Sequence, residues 1–100
     1  MLKRESKPNR REAEAVAIQA LSFIAADSGR LGRFLASTGI GPQAIRQAAR
    51  ESGFLAGVLD YVVSDEQLLK SFAEEIQAAP RDIAAALTAL AGPGWERDAP

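Results

Sequence analysis

The chain has no cysteine and no histidine among its 100 residues, and one residue each of tryptophan, tyrosine and methionine. Without cysteine there are no disulfides, no thiolate chemistry and no cysteine-ligated zinc. Without histidine the usual general base and the commonest metal ligand are missing as well. No apolar run approaches the roughly 18 residues that a membrane span needs, and the first residues lack the charged-then-apolar layout of a signal peptide. The expectation is a small cytoplasmic domain that uses no cofactor and no metal. At this length one domain is expected, with a core that is adequate but not generous.

The charge balance is also nearly absent, and there the total misleads. The formal net charge is −1. Residues 1–50 carry nine basic and four acidic side chains, whereas residues 51–100 carry three basic and nine acidic ones. The basic half is led by Lys3, Arg4, Lys7, Arg10 and Arg11, interrupted by Pro8 and Asn9. With few apolar residues beside it, the stretch 1–9 reads as a disordered basic arm. Such an arm either aids solubility, touches an acidic partner or nucleic acid, or meets the acidic half of a neighbouring copy.

What the chain does have is helical periodicity. Ala13, Val16, Ala17, Ala20, Leu21 and Ile24 recur at three- and four-residue steps on one face. Asn9 and Glu12 form a capping box ahead of them. Asp27 reads as the cap of a second, short helix with the stripe Leu31, Phe34 and Leu35, closed by Gly39. Pro42 opens a third helix with Ile45, Ala48 and Ala49. Ser52-Gly53 is a break, and Phe54, Leu55, Val58, Leu59 and Val62 make a fourth helix. Ser64 with Gln67 reads as a second capping box, ahead of Leu68, Leu69, Phe72, Ala73 and Ile76. Pro80 opens a sixth helix through Ile83, Ala86, Leu87 and Leu90, which Gly92-Pro93-Gly94 is expected to stop. No convincing period-2 stretch is present. Gly29, Gly32 and Gly57 fall in or beside helices, at a propensity cost of about 1 kcal/mol each, and close helix contact is the expected reason.

The second half echoes the first at an offset of 38 residues. Leu21 pairs with Leu59, Asp27 with Asp65, Leu31 with Leu69, Phe34 with Phe72, Pro42 with Pro80 and Ile45 with Ile83. Phe23 with Tyr61 and Ile24 with Val62 are conservative pairs. The fold expected is all-α: a compact six-helix domain over residues 10–92, built from a duplicated three-helix unit with short connections, followed by a C-terminal tail at 93–100. Two units are too few for an extended solenoid, and Leu90 and Trp95 are expected to close the domain.

Chemistry-bearing patterns are few. Thr38-Gly39-Ile40-Gly41-Pro42 resembles the hairpin of helix-hairpin-helix modules, whose backbone N–H groups donate to a phosphate. However, Ile45 stands where a small residue is wanted and Ser37 where an apolar one is. A helix cap followed by a proline-started helix explains the string more simply. A helix-turn-helix register also fits in part: Leu35, Gly39 and Ile45 take its landmark places, and Gln43, Arg46, Gln47 and Arg50 would decorate the recognition helix. Leu35 replaces the usual alanine, and the chain as a whole is not basic. The carboxylates Asp60, Asp65, Glu66, Glu74, Glu75 and Asp82 lack EF-hand spacing and read as caps and solvated faces. No serine has a histidine partner, and no Gly-Lys-Ser/Thr phosphate loop is present, so no enzyme and no catalytic residue are expected.

The strings Arg11-Glu12-Ala13-Glu14, Leu21-Ser22-Phe23-Ile24-Ala25-Ala26-Asp27 and Leu31-Gly32-Arg33-Phe34-Leu35-Ala36-Ser37-Thr38-Gly39 resemble a small bacterial family, as do Phe54-Leu55-Ala56-Gly57-Val58-Leu59-Asp60 and Asp65-Glu66. That family is the one catalogued as domain of unknown function 3572, and the resemblance spans roughly residues 10–92. It implies an all-helical cytosolic protein and carries over no activity, cofactor or site residue.

The leading functional expectation is a non-enzymatic module that binds another protein, including a second copy of itself. The alternative is a nucleic-acid-associated protein using the basic arm and the Gly39–Pro42 turn. Candidate partner-binding residues are Lys3, Arg4, Lys7, Arg10, Arg11, Arg46, Arg50, Tyr61 and Trp95.

Overall fold

The helices Arg10–Ala25, Ser28–Thr38 and Glu66–Glu75 start where a side chain supplies the missing backbone acceptor. In the computed structural model, which describes residues 8–98 (the side chains at 42, 52 and 92–98 excepted), α1 spans Arg10–Ala25. The Asn9 side chain accepts from the Glu12 N–H at 2.7 Å, and the Glu12 carboxylate accepts from the Asn9 N–H at 3.0 Å. That is the expected reciprocal box. Helix α2 spans Ser28–Thr38, with the Asp27 carboxylate accepting from the Arg30 N–H. Gly39 ends it in the left-handed region at φ 76°, its N–H bonded to the Leu35 carbonyl. A 3₁₀ turn at Pro42–Ala44 leads into the short α3 at Ile45–Ala48. Helices α4 (Ser52–Ser64), α5 (Glu66–Glu75) and α6 (Pro80–Asp98) follow. No strand occurs among the described residues. Among the described residues the architecture is all-α, with six α-helices, and the radius of gyration is 13.4 Å, close to the roughly 13 Å expected of a 100-residue globule.

The core is a layer of the three longest helices. Helix α6 packs most extensively on α4 and α1, and α1 packs on α4. Ala13, Ala17 and Ala20 of α1 are fully buried, and small side chains on that face let neighbouring helices approach closely. Leu55, Val58, Leu59 and Val62 of α4 and Ile83, Ala86 and Leu90 of α6 fill the space against them. Helix α2 lies on α1, and α5 on α4.

Several positions 38 apart play matching parts. Asp27 and Asp65 both cap helices. Phe34 and Phe72 are both fully buried. The described residues with clearly positive φ are Gly39 and Gln77, which are themselves 38 apart. The aromatic contacts cross over: Phe23 of α1 meets Phe72 of α5 at 5.5 Å, and Tyr61 of α4 meets Phe34 of α2 at 5.1 Å. The match fails at the third helix. The start of α6 buries Ile83 and Ala86, whereas α3 has no buried residue.

Four local expectations are corrected. The cap of α5 is Asp65, which accepts from Gln67 and Leu68 N–H, not Ser64. Helix α4 runs on through Ser64, whose hydroxyl bonds back to the Asp60 carbonyl at 2.7 Å and so is spent within its own helix. Helix α4 begins at Ser52, so Gly53 lies in its first turn, where a propensity cost is easily borne. Helix α6 continues past Gly92-Pro93-Gly94 to Asp98; glycine and proline raise the cost of a turn rather than forbid it. Finally, Gly29, Gly32 and Gly57 do not mark close helix contacts. All three are exposed; nothing lies within 4 Å of a Cβ built on Gly32 or Gly57, and Gly29 would meet only the Asp27 and Arg33 side chains. The apolar stripes Leu31–Leu35 and Leu55–Val62 do the packing, and these glycines stand off them.

Gly32→Ala and Gly57→Ala should therefore each stabilise the fold, by about 0.5–1 kcal/mol. Gly39→Ala should cost about 1 kcal/mol, because only its left-handed backbone needs glycine. Thermal unfolding followed by circular dichroism reads both signs, at about 4–8 °C per kcal/mol for a domain of this size.

Candidate functional site

The element that contributes least to the core carries the most suggestive surface. The segment 28–50, covering α2, the Gly39 turn and α3, contains four arginines and no acidic residue. Its attachment to the core is narrow: Phe34 is the one buried residue of α2, while Leu31, Leu35, Ile45 and Ala49 pack partly buried against the core. The Thr38 hydroxyl donates to the Phe34 carbonyl at 3.0 Å, and the Ile40 N–H donates to that same hydroxyl. Together with the left-handed Gly39 these bonds turn the chain from α2 toward α3.

On the far side of that turn, Gln43, Arg46, Gln47 and Arg50 are all exposed and together line one shallow depression of about 240 Å³. Their spacing, at steps of three and four, is that of one helix face. Among the described residues neither Arg46 nor Arg50 is in an ion pair. The structure thus brings together the four side chains that the helix-turn-helix register selects. Of the four, Arg46 and Gln47 lie in α3 itself, while Gln43 belongs to the 3₁₀ turn before it and Arg50 to the turn after it, so the helical part is much shorter than a usual recognition helix.

The other candidate residues scatter. Arg10 and Arg11 lie exposed in the first turn of α1. Lys3, Arg4 and Lys7 fall outside the described residues, as does the Trp95 side chain. Tyr61 is half-buried, and its ring packs edge-on against Phe34.

Two further depressions involve residues that sequence reading passed over. One, of about 640 Å³, runs between α1 and the end of α5, lined by the apolar Ile18, Phe23 and Ile76 and by the charged Asp27, Arg30 and Glu75. Ile18, 47% exposed, is the large hydrophobic residue that stands out to solvent among the described residues. The other holds Arg30 and Arg33 with Tyr61. The available signal was the arginine pair one helical turn apart, directly after the Asp27 cap.

The acidic residues do not gather. Among the described residues no group of three His, Cys, Asp or Glu side chains is placed to hold a metal. Asp65 is committed to its cap, and the Asp82 carboxylate accepts from the Ala79 N–H at 3.0 Å. The cavity that Asp65 borders is not lined by Asp60, Lys70 or Arg81. No helix among the described residues is long and apolar enough to cross a membrane.

The chain matches the family described as protein of unknown function DUF3572 over residues 10–93, and it belongs to that family. No curated protein and no solved structure matches it significantly.

Because Arg46 and Arg50 are exposed and unpaired among the described residues, Arg46→Ala/Arg50→Ala should move the stability by no more than about 0.5 kcal/mol. Phe34→Ala should cost about 3–5 kcal/mol. Denaturant titration of both variants, compared through their midpoints at unchanged slope, measures the contrast.

Proposed function

We propose that this DUF3572 protein is a non-catalytic binding module whose α2–turn–α3 segment engages nucleic acid. The observation that carries the reading is the exposed stripe of Gln43, Arg46, Gln47 and Arg50, which runs from the 3₁₀ turn through α3 to the turn after it, on a segment whose helix has no fully buried residue. A helix this short is not stable on its own. It is held by its neighbours, and its outer face is free of packing duty. Arginine pairs well with phosphate through its planar fork of donors, and glutamine offers both a donor and an acceptor to a base edge. The αL glycine between α2 and α3 matches the turn position of a helix-turn-helix. Arg10 and Arg11, and beyond them the basic arm, would add backbone contacts that are not sequence-specific.

The positions 38 apart support reading the chain as a duplicated unit, in which one third helix was kept as core and the other was left for binding. In this reading the first copy lost the core-filling residues that Ile83 and Ala86 supply in the second, and gained arginines instead.

The test is fluorescence anisotropy of a short labelled DNA duplex and a labelled RNA strand, at low and at physiological salt. Binding should weaken steeply with salt, and Arg46→Ala/Arg50→Ala should lower the slope of log K against log salt by about two for duplex DNA. No binding to either polymer at low salt sinks the proposal.

A second reading, docking of another protein, is favoured by one observation: the exposed Ile18 beside Phe23 and Ile76 in the α1–α5 depression, with Glu75 at its rim. The partner that fits is an amphipathic helix with an apolar stripe and a basic flank. Ile18→Glu should abolish capture of such a partner while leaving nucleic-acid binding intact. Light scattering at two salt concentrations separates this from self-association, which would appear as a doubled mass that falls with salt.

A further inference from the structure

A cavity of about 360 Å³ opens between the N-terminal halves of α2 and α5. From α2 it receives Arg30 and Arg33. From α5 it receives Leu68 and Ser71, which stand 38 positions after those two arginines. Tyr61 of α4, the α5 cap Asp65 and Gln67 of α5 complete the wall.

The charges in this cavity do not balance. Among the described residues neither Arg30 nor Arg33 forms an ion pair. The one carboxylate present, Asp65, accepts from the Gln67 and Leu68 N–H groups at 3.1 and 3.2 Å, so its charge is taken up by the start of α5. Two arginines therefore line a cavity whose one lining carboxylate is already engaged; the Asp27 carboxylate, near Arg33 but outside the lining, is itself engaged by the Arg30 N–H. Arg30 is also held in place. It is half-buried, with its guanidinium 4.2 Å from the centre of the Phe23 ring. An arginine fixed over an aromatic face has already lost much of the rotamer freedom that binding would cost it.

From this we infer that the cavity between α2 and α5 is a binding site for a small phosphate monoester, distinct from the α3 stripe. Two guanidinium groups match the charge of close to −2 that a phosphate monoester carries at neutral pH. The hydroxyls of Tyr61 and Ser71 add donors, and Leu68 with the Tyr61 ring supplies an apolar surface for the ester's organic part. The volume lies at the small end of ligand sites, which span about 300–1,000 Å³. It suits a compact monoester rather than a length of polymer. The two halves differ here in a telling way: at matching positions α2 offers arginines and α5 offers a leucine and a serine, so the cavity has a cationic side and a receptive side.

The probe is phenyl phosphate, titrated into the full ¹⁵N-labelled chain at constant ionic strength, with inorganic phosphate and a short DNA duplex as separate arms. Saturable shifts of the Gln67, Leu68 and Ser71 amides at millimolar phenyl phosphate are expected. Arg30→Leu/Arg33→Ser, which copies onto α2 the residues that α5 carries, should weaken binding at least about tenfold. Ser71→Glu should do the same by placing a carboxylate in the cavity while leaving the Arg30–Phe23 contact untouched, so a folding defect in the first variant does not decide the outcome. Arg46→Ala/Arg50→Ala should leave phenyl phosphate binding unchanged, which separates this site from the proposed nucleic-acid face. No saturable shift at millimolar phenyl phosphate overturns the proposal, and so does binding that survives both cavity variants. If only the duplex shifts these amides, the arginines belong to a nucleic-acid contact and the small-molecule site is refuted.

Discussion

Burial of Phe34 is the interaction on which the basic side of the molecule depends. Helix α2 has no other fully buried residue. The Phe34 ring meets Tyr61 at 5.1 Å and Phe54 at 6.1 Å, both on α4 and both edge-on, the arrangement in which a positive ring edge meets a negative ring face. Through that ring α2 is fixed to α4, although its longer contact is with α1. The Gly39 turn, the 3₁₀ turn and α3 follow from α2 in sequence, and α3 has no fully buried residue, Ile45 packing only partly buried against the core. A phenylalanine in a well-packed site contributes about 3–5 kcal/mol, a large share of the 5–15 kcal/mol by which such domains are stable. The positions of Arg30 and Arg33 on α2, and of Arg46 and Arg50 beyond it, thus rest on one side chain that touches no solvent.

The same device appears once more, reversed. Phe72 of α5 is buried against Phe23 of α1, so each short helix is tied by its phenylalanine to an aromatic residue of the other half. Crossed ties of this kind join the halves more firmly than contacts within each half would, because neither short helix can leave without opening the partner half's aromatic pair. The likeness between positions 38 apart stops at the third helix. After Arg50 the chain must begin α4 at once, since Glu51 already serves as its N-cap, which leaves room for little more than two turns between Pro42 and Arg50. Helix α6, by contrast, is the longest helix and packs on both α1 and α4.

The elements legible in the sequence were those with a local cause. Asn9 with Glu12, Asp27, Gly39 and the two helix-start prolines each act within four residues, and each does what its type suggests. The apolar faces were equally clear, because burial of Ala13, Ala17, Ala20, Phe34 and Phe72 follows helical spacing. What failed was competition between neighbours. Ser64 and Asp65 are both capping residues, and the choice between them depends on where α4 stops. The glycines of α2 and α4 were read as packing devices, when their faces simply look outward. Gln77 takes a left-handed turn at φ 58° that only the comparison with Gly39 would have suggested. Of the sites, the α3 stripe was readable because its four residues lie on one short segment. The cavity at Arg30 and Arg33 was not, because its walls come from three helices distant in sequence, and no local pattern reports their meeting.

A net charge of −1 does not weigh against an anionic partner. At physiological salt the Debye length is about 8 Å, while the molecule measures 38 × 32 × 22 Å. An acidic side chain more than one Debye length from Arg46 barely alters the potential there. What a phosphate meets is the local set of charges, and across residues 28–50 that set is four arginines, with the cap residues Asp27 and Glu51 as its flanking acids. The acidic excess of the second half keeps the whole near neutrality without cancelling this surface, and it discourages the non-specific adhesion that a uniformly basic domain would show. Segregation along the chain becomes segregation in space because 28–50 folds as one outlying segment, fastened at Phe34. The hydrophobic anchor and the charged surface are therefore two consequences of one local design: a helix that packs on the core through Phe34, flanked by Leu31 and Leu35, has the rest of its circumference to offer.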